Sequence, residues 1–244
     1  MSGHSHWAGI KHKKELADKK RAQVFSKLAR EIEIAAREGK DPNFNSKLRI
    51  AIDKAKSFRM PTENIERAIK RGSGELKAEN LEEILFEAYG PAGIAIIIEG
   101  ITDNKNRALG EIKQVLSENG GKLVGEGQVK WMFERKGCIT LRITNLEELP
   151  IKSKEELELL AIEAGAQDLY WHDEILDVYT KIEDLDKVKG NLEEKGIKIE
   201  STSLDWVAKE EIETDEKTKK NCQKLFEALD ELDCVQEIYS NLKA

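Results

Sequence analysis

Cysteine and histidine are both scarce in this chain, and each shortage excludes a class of function. The three cysteines, Cys138, Cys222 and Cys234, are widely spaced and odd in number. They offer no disulfide framework and fit the reduced thiols of a cytoplasmic protein. Of the four histidines only His172 lies beyond the first twelve residues, so no Ser/His/Asp or Cys/His constellation can be assembled. The glycines form neither G-x-G-x-x-G nor G-x-x-x-x-G-K-[ST], which leaves nucleotide binding without a motif. The longest apolar candidate, Ile94 to Ile98, is far shorter than the ~20 residues of a membrane span. The polar N-terminus lacks the apolar stretch of a secretory leader. No enzyme activity, cofactor or membrane association is expected, and nothing in the sequence points to a small-molecule substrate or an oligomeric state.

Charge is what the chain has in abundance. Lys and Arg number 40 against 47 Asp and Glu, a net charge of −7 that alone argues against nucleic acid. The average hides a division. Residues 1–77 hold 19 basic and 10 acidic side chains, a surplus of nine positive charges, so the remainder carries −16. A basic end on an acidic body suggests contact with a polyanion through that end.

Residues from about 13 to 71 read as three helices. Val24, Leu28 and Ile32 recur on one face of the first, and Lys19, Lys20, Lys27, Arg30 and Arg37 share an arc away from it. Gly39 is expected to end it. Asn45 or Ser46 can cap a second helix with Leu48, Ala51, Ile52, Ala55 and Phe58 inward. Pro61 is expected at the first position of the third helix, and Gly72 as its stop. Arg71 to Asn80 reads as a polar linker.

Ahead of these helices stands HSHWAGIKHKK, His4 to Lys14. A zinc site wants converging His, Cys or acidic ligands; here no cysteine is near and lysines surround the histidines, so no metal is expected. Two readings stand: an arm with incidental histidines, or a polyanion grip with Lys11, His12, Lys13 and Lys14 on phosphates and Trp7 stacking on a base. In the second, Lys19, Lys20, Arg21, Lys27 and Arg30 continue the track along the first helix, although a charged helix face is often only solvated surface. No helix-turn-helix, zinc-finger or RNP spacing supports reading of base sequence.

Beyond residue 78 strands enter. Leu81–Tyr89, Gly93–Ile101 and Gln128–Phe133 alternate or run apolar, and Thr102–Asn119 reads as a helix capped by Thr102 or Asp103. In that turn Asp103, Asn104 and Arg107 are either capping residues or a binding group at the strand ends. Residues 137–207 give strand, helix, two strands, helix, strand, the split-βαβ order of ferredoxin-like domains. A helix, Glu216–Leu232, and a strand, Val235–Tyr239, remain without local partners. The economical arrangement is an α+β protein of three domains. Residues 1–77 form a helical domain, 78–136 plus 208–244 a discontinuous α/β domain, and 137–207 a ferredoxin-like domain inserted in it.

Several stretches resemble one family throughout the chain: GHSHWAGIKHKK (Gly3–Lys14), NIERAIKRGSGE (Asn64–Glu75), YGPAGIAIIIE (Tyr89–Glu99), TDNKNR (Thr102–Arg107), WMFERKG (Trp131–Gly137), LDWVAK (Leu204–Lys209) and DCVQEIYSN (Asp233–Asn241). Each resembles the YebC family. The resemblance implies a three-domain cytoplasmic protein without catalytic residues, usually described as a transcriptional regulator of promoter DNA. Some members, including the mitochondrial translational activator of cytochrome c oxidase, are linked instead to translation on the ribosome. DNA and ribosomal or transfer RNA are therefore the two candidate partners. The chain departs from the family at His6, where lysine is common, and at Cys234, where aspartate is common.

Overall fold

A computed structural model of the chain describes residues 18–143, 153–172 and 174–243. Helices α1 (Asp18–Ala35), α2 (Ser46–Ser57) and α3 (Thr62–Gly72) pack around Leu28, Ile32, Leu48, Ile52, Ala55 and Ile65. Asn45 joins the first two helices. Its Oδ1 accepts the Leu48 N–H at 3.0 Å as the cap of α2, and its Nδ2 donates to the carbonyls of Ala35 and Gly39 at 2.8 Å. Pro61 sits one residue before α3, at the cap position and not at the first helical residue. Gly72 is the last residue of α3, and its role is a close approach. A Cβ there would lie 2.2 Å from the Glu33 carbonyl oxygen, so only glycine lets the end of α3 rest on α1.

The remainder is built on two four-stranded antiparallel sheets. The first runs β3 (Lys122–Val124), β1 (Glu82–Tyr89), β2 (Ala95–Thr102), β8 (Val235–Ser240). Helices α4 (Lys105–Glu118) and α7 (Glu216–Asp230) cover one face, where Ile94, Ile96 and Ile98 meet Ile112, Leu116, Leu225 and Leu229. Ala95 and Ile97 turn the other way, towards Val129, Phe133 and Tyr239. Burial of both faces explains why this central strand reads as a continuous apolar run.

The second sheet runs β5 (Asp168–His172), β6 (Ile175–Thr180), β4 (Phe133–Arg142), β7 (Ser201–Ala208). Helices α5 (Lys154–Ala164) and α6 (Leu185–Glu194) pack on it through Leu157, Ala161, Val188 and Leu192. The strand expected at Gln128–Phe133 is absent. Those residues form a turn and a short 3₁₀ segment, Lys130–Met132, and β4 begins at Phe133 without a break at 137. The cause is Glu87, which is 2% exposed. Its carboxylate accepts the N–H groups of Gly127 at 2.6 Å, Val129 at 2.5 Å and Lys130 at 2.8 Å, so they are not available to a ladder. The strand expected from Ile197 begins at Ser201.

Candidate nucleic-acid interface

Trp7, Lys11, His12, Lys13 and Lys14 lie outside the described residues, as do the side chains of Lys19 and Lys20 in the first turn of α1. Arg21 is exposed. The two expected contacts further along α1 are a correction to the sequence reading. Lys27 is 5% exposed, and its ammonium donates to the Asp230 carbonyl at 2.6 Å and approaches the Asp230 carboxylate at 3.3 Å. Arg30 donates to the carbonyl of Asp233 at 2.7 Å. Gln23 reaches the carbonyl of Glu231 at 2.8 Å. Together they occupy carbonyls at the C-terminal end of α7 and the acidic turn after it, where cations and donors are favoured by the unpaired carbonyls and the helix dipole. Lys27 and Arg30 thus dock α1 on the end of α7 and the turn after it instead of lying open to a polyanion.

Other cations of the helical segment are also engaged within the chain. Arg37 donates to the Leu81 carbonyl, Arg49 pairs with Asp186 at 2.5 Å, and Asp53 receives Lys189 at 3.1 Å. Lys54 lies between Glu31 at 2.8 Å and Glu237 at 2.7 Å. Burial alone would lower its pKa, but the two carboxylates outweigh that and raise it, so the ammonium is held charged. These ties fasten α2 to α6 and to β8, and the end of α1 to the chain entering β1.

What remains exposed is a different set. Lys56, Arg59, Arg67, Lys70 and Arg71 are exposed, and their side chains make no hydrogen bond or ion pair of contact distance among the described residues. Arg67, Lys70 and Arg71 recur at three- and four-residue spacing, so α3 presents them on one face. Arg67 carried no distinguishing sequence signal beyond that spacing. Arg59 follows α2 in a left-handed conformation, φ +58°, where glycine is the usual residue. An L-residue there costs roughly 1–2 kcal/mol, so a guanidinium is kept at a position that disfavours it.

The turn Thr102–Arg107 is a cap. Asn104, and not Thr102 or Asp103, accepts the Arg107 N–H at 3.1 Å, while Arg107 pairs with Asp103. His172 lies 3.5 Å from Asp177, which also accepts the Thr140 hydroxyl at 2.9 Å. All three cysteines are buried; burial raises every thiol, Cys222 to about 11, which suppresses the nucleophilic thiolate. Among the described residues no group of His, Cys, Asp or Glu could hold a metal ion, and no helix is long and apolar enough to cross a membrane.

Comparison with known proteins agrees over almost the entire length. Residues 5–75 match the family described as the TACO1/YebC protein N-terminal domain, and residues 81–242 match the TACO1/YebC second and third domain. A relative from Halothermothrix orenii, named a probable transcriptional regulatory protein, is 48% identical over 99% of this chain and 94% of its own. One from Aquifex aeolicus with the same name is 46% identical over 100% and 96%. A crystal structure of a conserved hypothetical protein from Aquifex aeolicus is 44% identical, superposes with a TM-score of 0.87, and covers 98% of this chain and 96% of that one.

Proposed function

Because the chain belongs to the TACO1/YebC family, matching it over residues 5–75 and 81–242, we propose that it is a nucleic-acid-associated regulator of gene expression acting in the cytoplasm, and within that class a DNA-binding transcriptional regulator. The names of its relatives support regulation of transcription. The observation that carries nucleic-acid contact is the exposed face of Arg67, Lys70 and Arg71, with Lys56 and Arg59 likewise open to solvent. These cations remain after the anchoring pairs are subtracted, and they belong to the segment whose sequence carries the positive surplus.

On this reading Lys11, His12, Lys13 and Lys14 pair phosphates, Trp7 stacks on an unpaired base, and Lys19, Lys20 and Arg21 extend the contact. Lys27 and Arg30 position α1 and do not take part. The chain is organised as a helical unit, 1–77, an α/β unit, 78–136 with 208–244, and a ferredoxin-like unit, 137–207. The order of the second sheet and the pairing of β8 with β2 support that division.

The test is crosslinking in cells followed by recovery of the bound polymer. Enrichment of promoter DNA is the expected result. Recovery of ribosomal RNA alone would replace DNA with the ribosome as the target, and recovery of neither would overturn the proposal.

A further inference from the structure

Where the helical segment meets both sheets, a cleft of about 510 Å³ opens, within the range of small-ligand sites. Seven carboxylates line it against three cations. Several are matched: Glu31 and Glu237 hold Lys54, and Glu99 accepts from Arg135 at 2.8 Å and from the Trp206 indole at 2.9 Å. Asp205 on β7 is not matched in that way. Burial first, then the neighbouring Asp177 and Glu237, push its carboxyl up to about 7, against the opposing pull of Ser203 and Arg135. Between the charges the wall is aliphatic and aromatic, with Ile34, Ile50, Phe58, Leu85 and Leu204.

An acidic hollow is not by itself a site. The second observation is Gln236, only 6% exposed, whose amide oxygen and nitrogen both lack a hydrogen-bond partner. Its direction is set by a β-bulge. Glu237 pairs with Glu99 and Val235 with Gly100, which leaves Gln236 unpaired. Val235 and Ile238 both enter the core beneath α4 and α7, and Glu237 reaches Lys54 on the opposite side. Gln236 therefore joins Glu237 on the cleft side, and it lines the cleft. Gly100 permits the bulge, since a Cβ there would lie 2.1 Å from the Cys234 carbonyl oxygen, which the Ile101 N–H approaches to 2.9 Å. Burying an amide with both ends idle is costly, and a cationic ligand donating an N–H to the amide oxygen would relieve the acceptor half of that cost.

We propose that this cleft binds a small linear organic cation, a di- or polyamine, with one ammonium held by Asp205 and the Gln236 side-chain amide oxygen and its methylenes along the aliphatic wall. A single metal ion fits less well, because the carboxylates are spread along the walls and do not converge as a ligand set among the described residues. An extended cation, with its charges several bonds apart along an apolar chain, suits acidic groups that alternate with aliphatic wall. The proposal is independent of nucleic-acid contact, since the exposed basic face does not line the cleft.

The probe is spermidine, titrated calorimetrically into the full chain, with magnesium chloride and potassium chloride of matched ionic strength as comparisons. One saturable site is expected, weakened at least about tenfold by Asp205→Asn and by Gln236→Leu and unchanged by Glu163→Gln, a surface control paired with Lys195. Should Gln236→Leu not fold, the Gln236 side-chain amide and the Trp206 indole resonances of the unmodified protein supply the reading, and both are expected to shift to saturation. Several weak sites per chain, equal binding by magnesium, no heat, or full affinity in Asp205→Asn would each overturn the proposal.

Discussion

Replacing Lys54 with methionine tests how the helical segment is held against the sheets. The ammonium is shared by Glu31 and Glu237, and the three side chains are 21%, 18% and 28% exposed. Methionine keeps most of the stem but leaves two carboxylates facing one another with no cation between them. Removing one partner of a fully buried pair costs about 3–5 kcal/mol. With roughly a fifth of each group still wet, the expected loss here is about 2–4 kcal/mol. At ~2–4 °C per kcal/mol for a chain of this size, the melting temperature should fall by roughly 4–16 °C. Adding Glu31→Gln and Glu237→Gln should recover most of it, since the cost lies in the unpaired charges and not in the lost packing. Denaturant and calorimetric unfolding of the single, double and triple variants measure the effect. A Lys54→Met protein within about 0.5 kcal/mol of the original, the range of ordinary surface substitutions, would refute the reasoning.

Three further outcomes follow from the same geometry. Lys27→Met should cost about 1.5–3 kcal/mol in unfolding experiments, the value of hydrogen bonds from a charged donor, yet leave nucleic-acid affinity and its salt dependence unchanged; a shallower salt slope would return Lys27 to the interface. Burial would raise the Glu87 carboxyl, but three backbone donors outweigh it and lower its pKa. Its stabilisation is therefore present above about pH 4.3 and lost as pH falls through the depressed folded value, and Glu87→Gln should cost about 1–3 kcal/mol at pH 7 and remove that part of the acid transition. Asp205, raised to about 7 when folded, keeps its proton between about pH 4 and about 7 while the unfolded chain is ionised, so the native protein loses stability as pH rises through that window. Asp205→Asn should abolish that slope and gain on the order of 2 kcal/mol at pH 8, half the fully buried limit because the residue is partly exposed.

Local features were legible from the sequence. The Leu28–Ile32 spacing marks the buried face of α1, Asn45 signals the α2 cap, and the apolar run at β2 announces a central strand. What escaped depends on distant partners. A helical wheel places Lys27 and Arg30 away from the apolar face, but it cannot tell water from the carbonyls of Asp230 and Asp233, 203 residues away. The apolar alternation at Gln128–Phe133 resembles a strand until Glu87, forty-odd residues earlier, claims its N–H groups. Gly72 read as a helix stop because its contact, the Glu33 carbonyl, lies on another helix. Gln236 sits in an ordinary strand pattern, and only the bulge opposite Gly100 turns it towards the cleft.

The central claim is tested most directly by measuring affinity for duplex DNA and for ribosomal RNA against salt concentration. The proteins compared are the full chain, an Arg67→Ala/Lys70→Ala/Arg71→Ala variant and a Lys13→Ala/Lys14→Ala/Lys19→Ala/Lys20→Ala variant. On duplex DNA each phosphate contact contributes ~0.9 log unit of affinity per log unit of salt. Each variant should bind more weakly, about equally across sequences, with a slope shallower by two or more units. Both variants matching the full chain in affinity and slope on DNA and RNA alike would contradict the account.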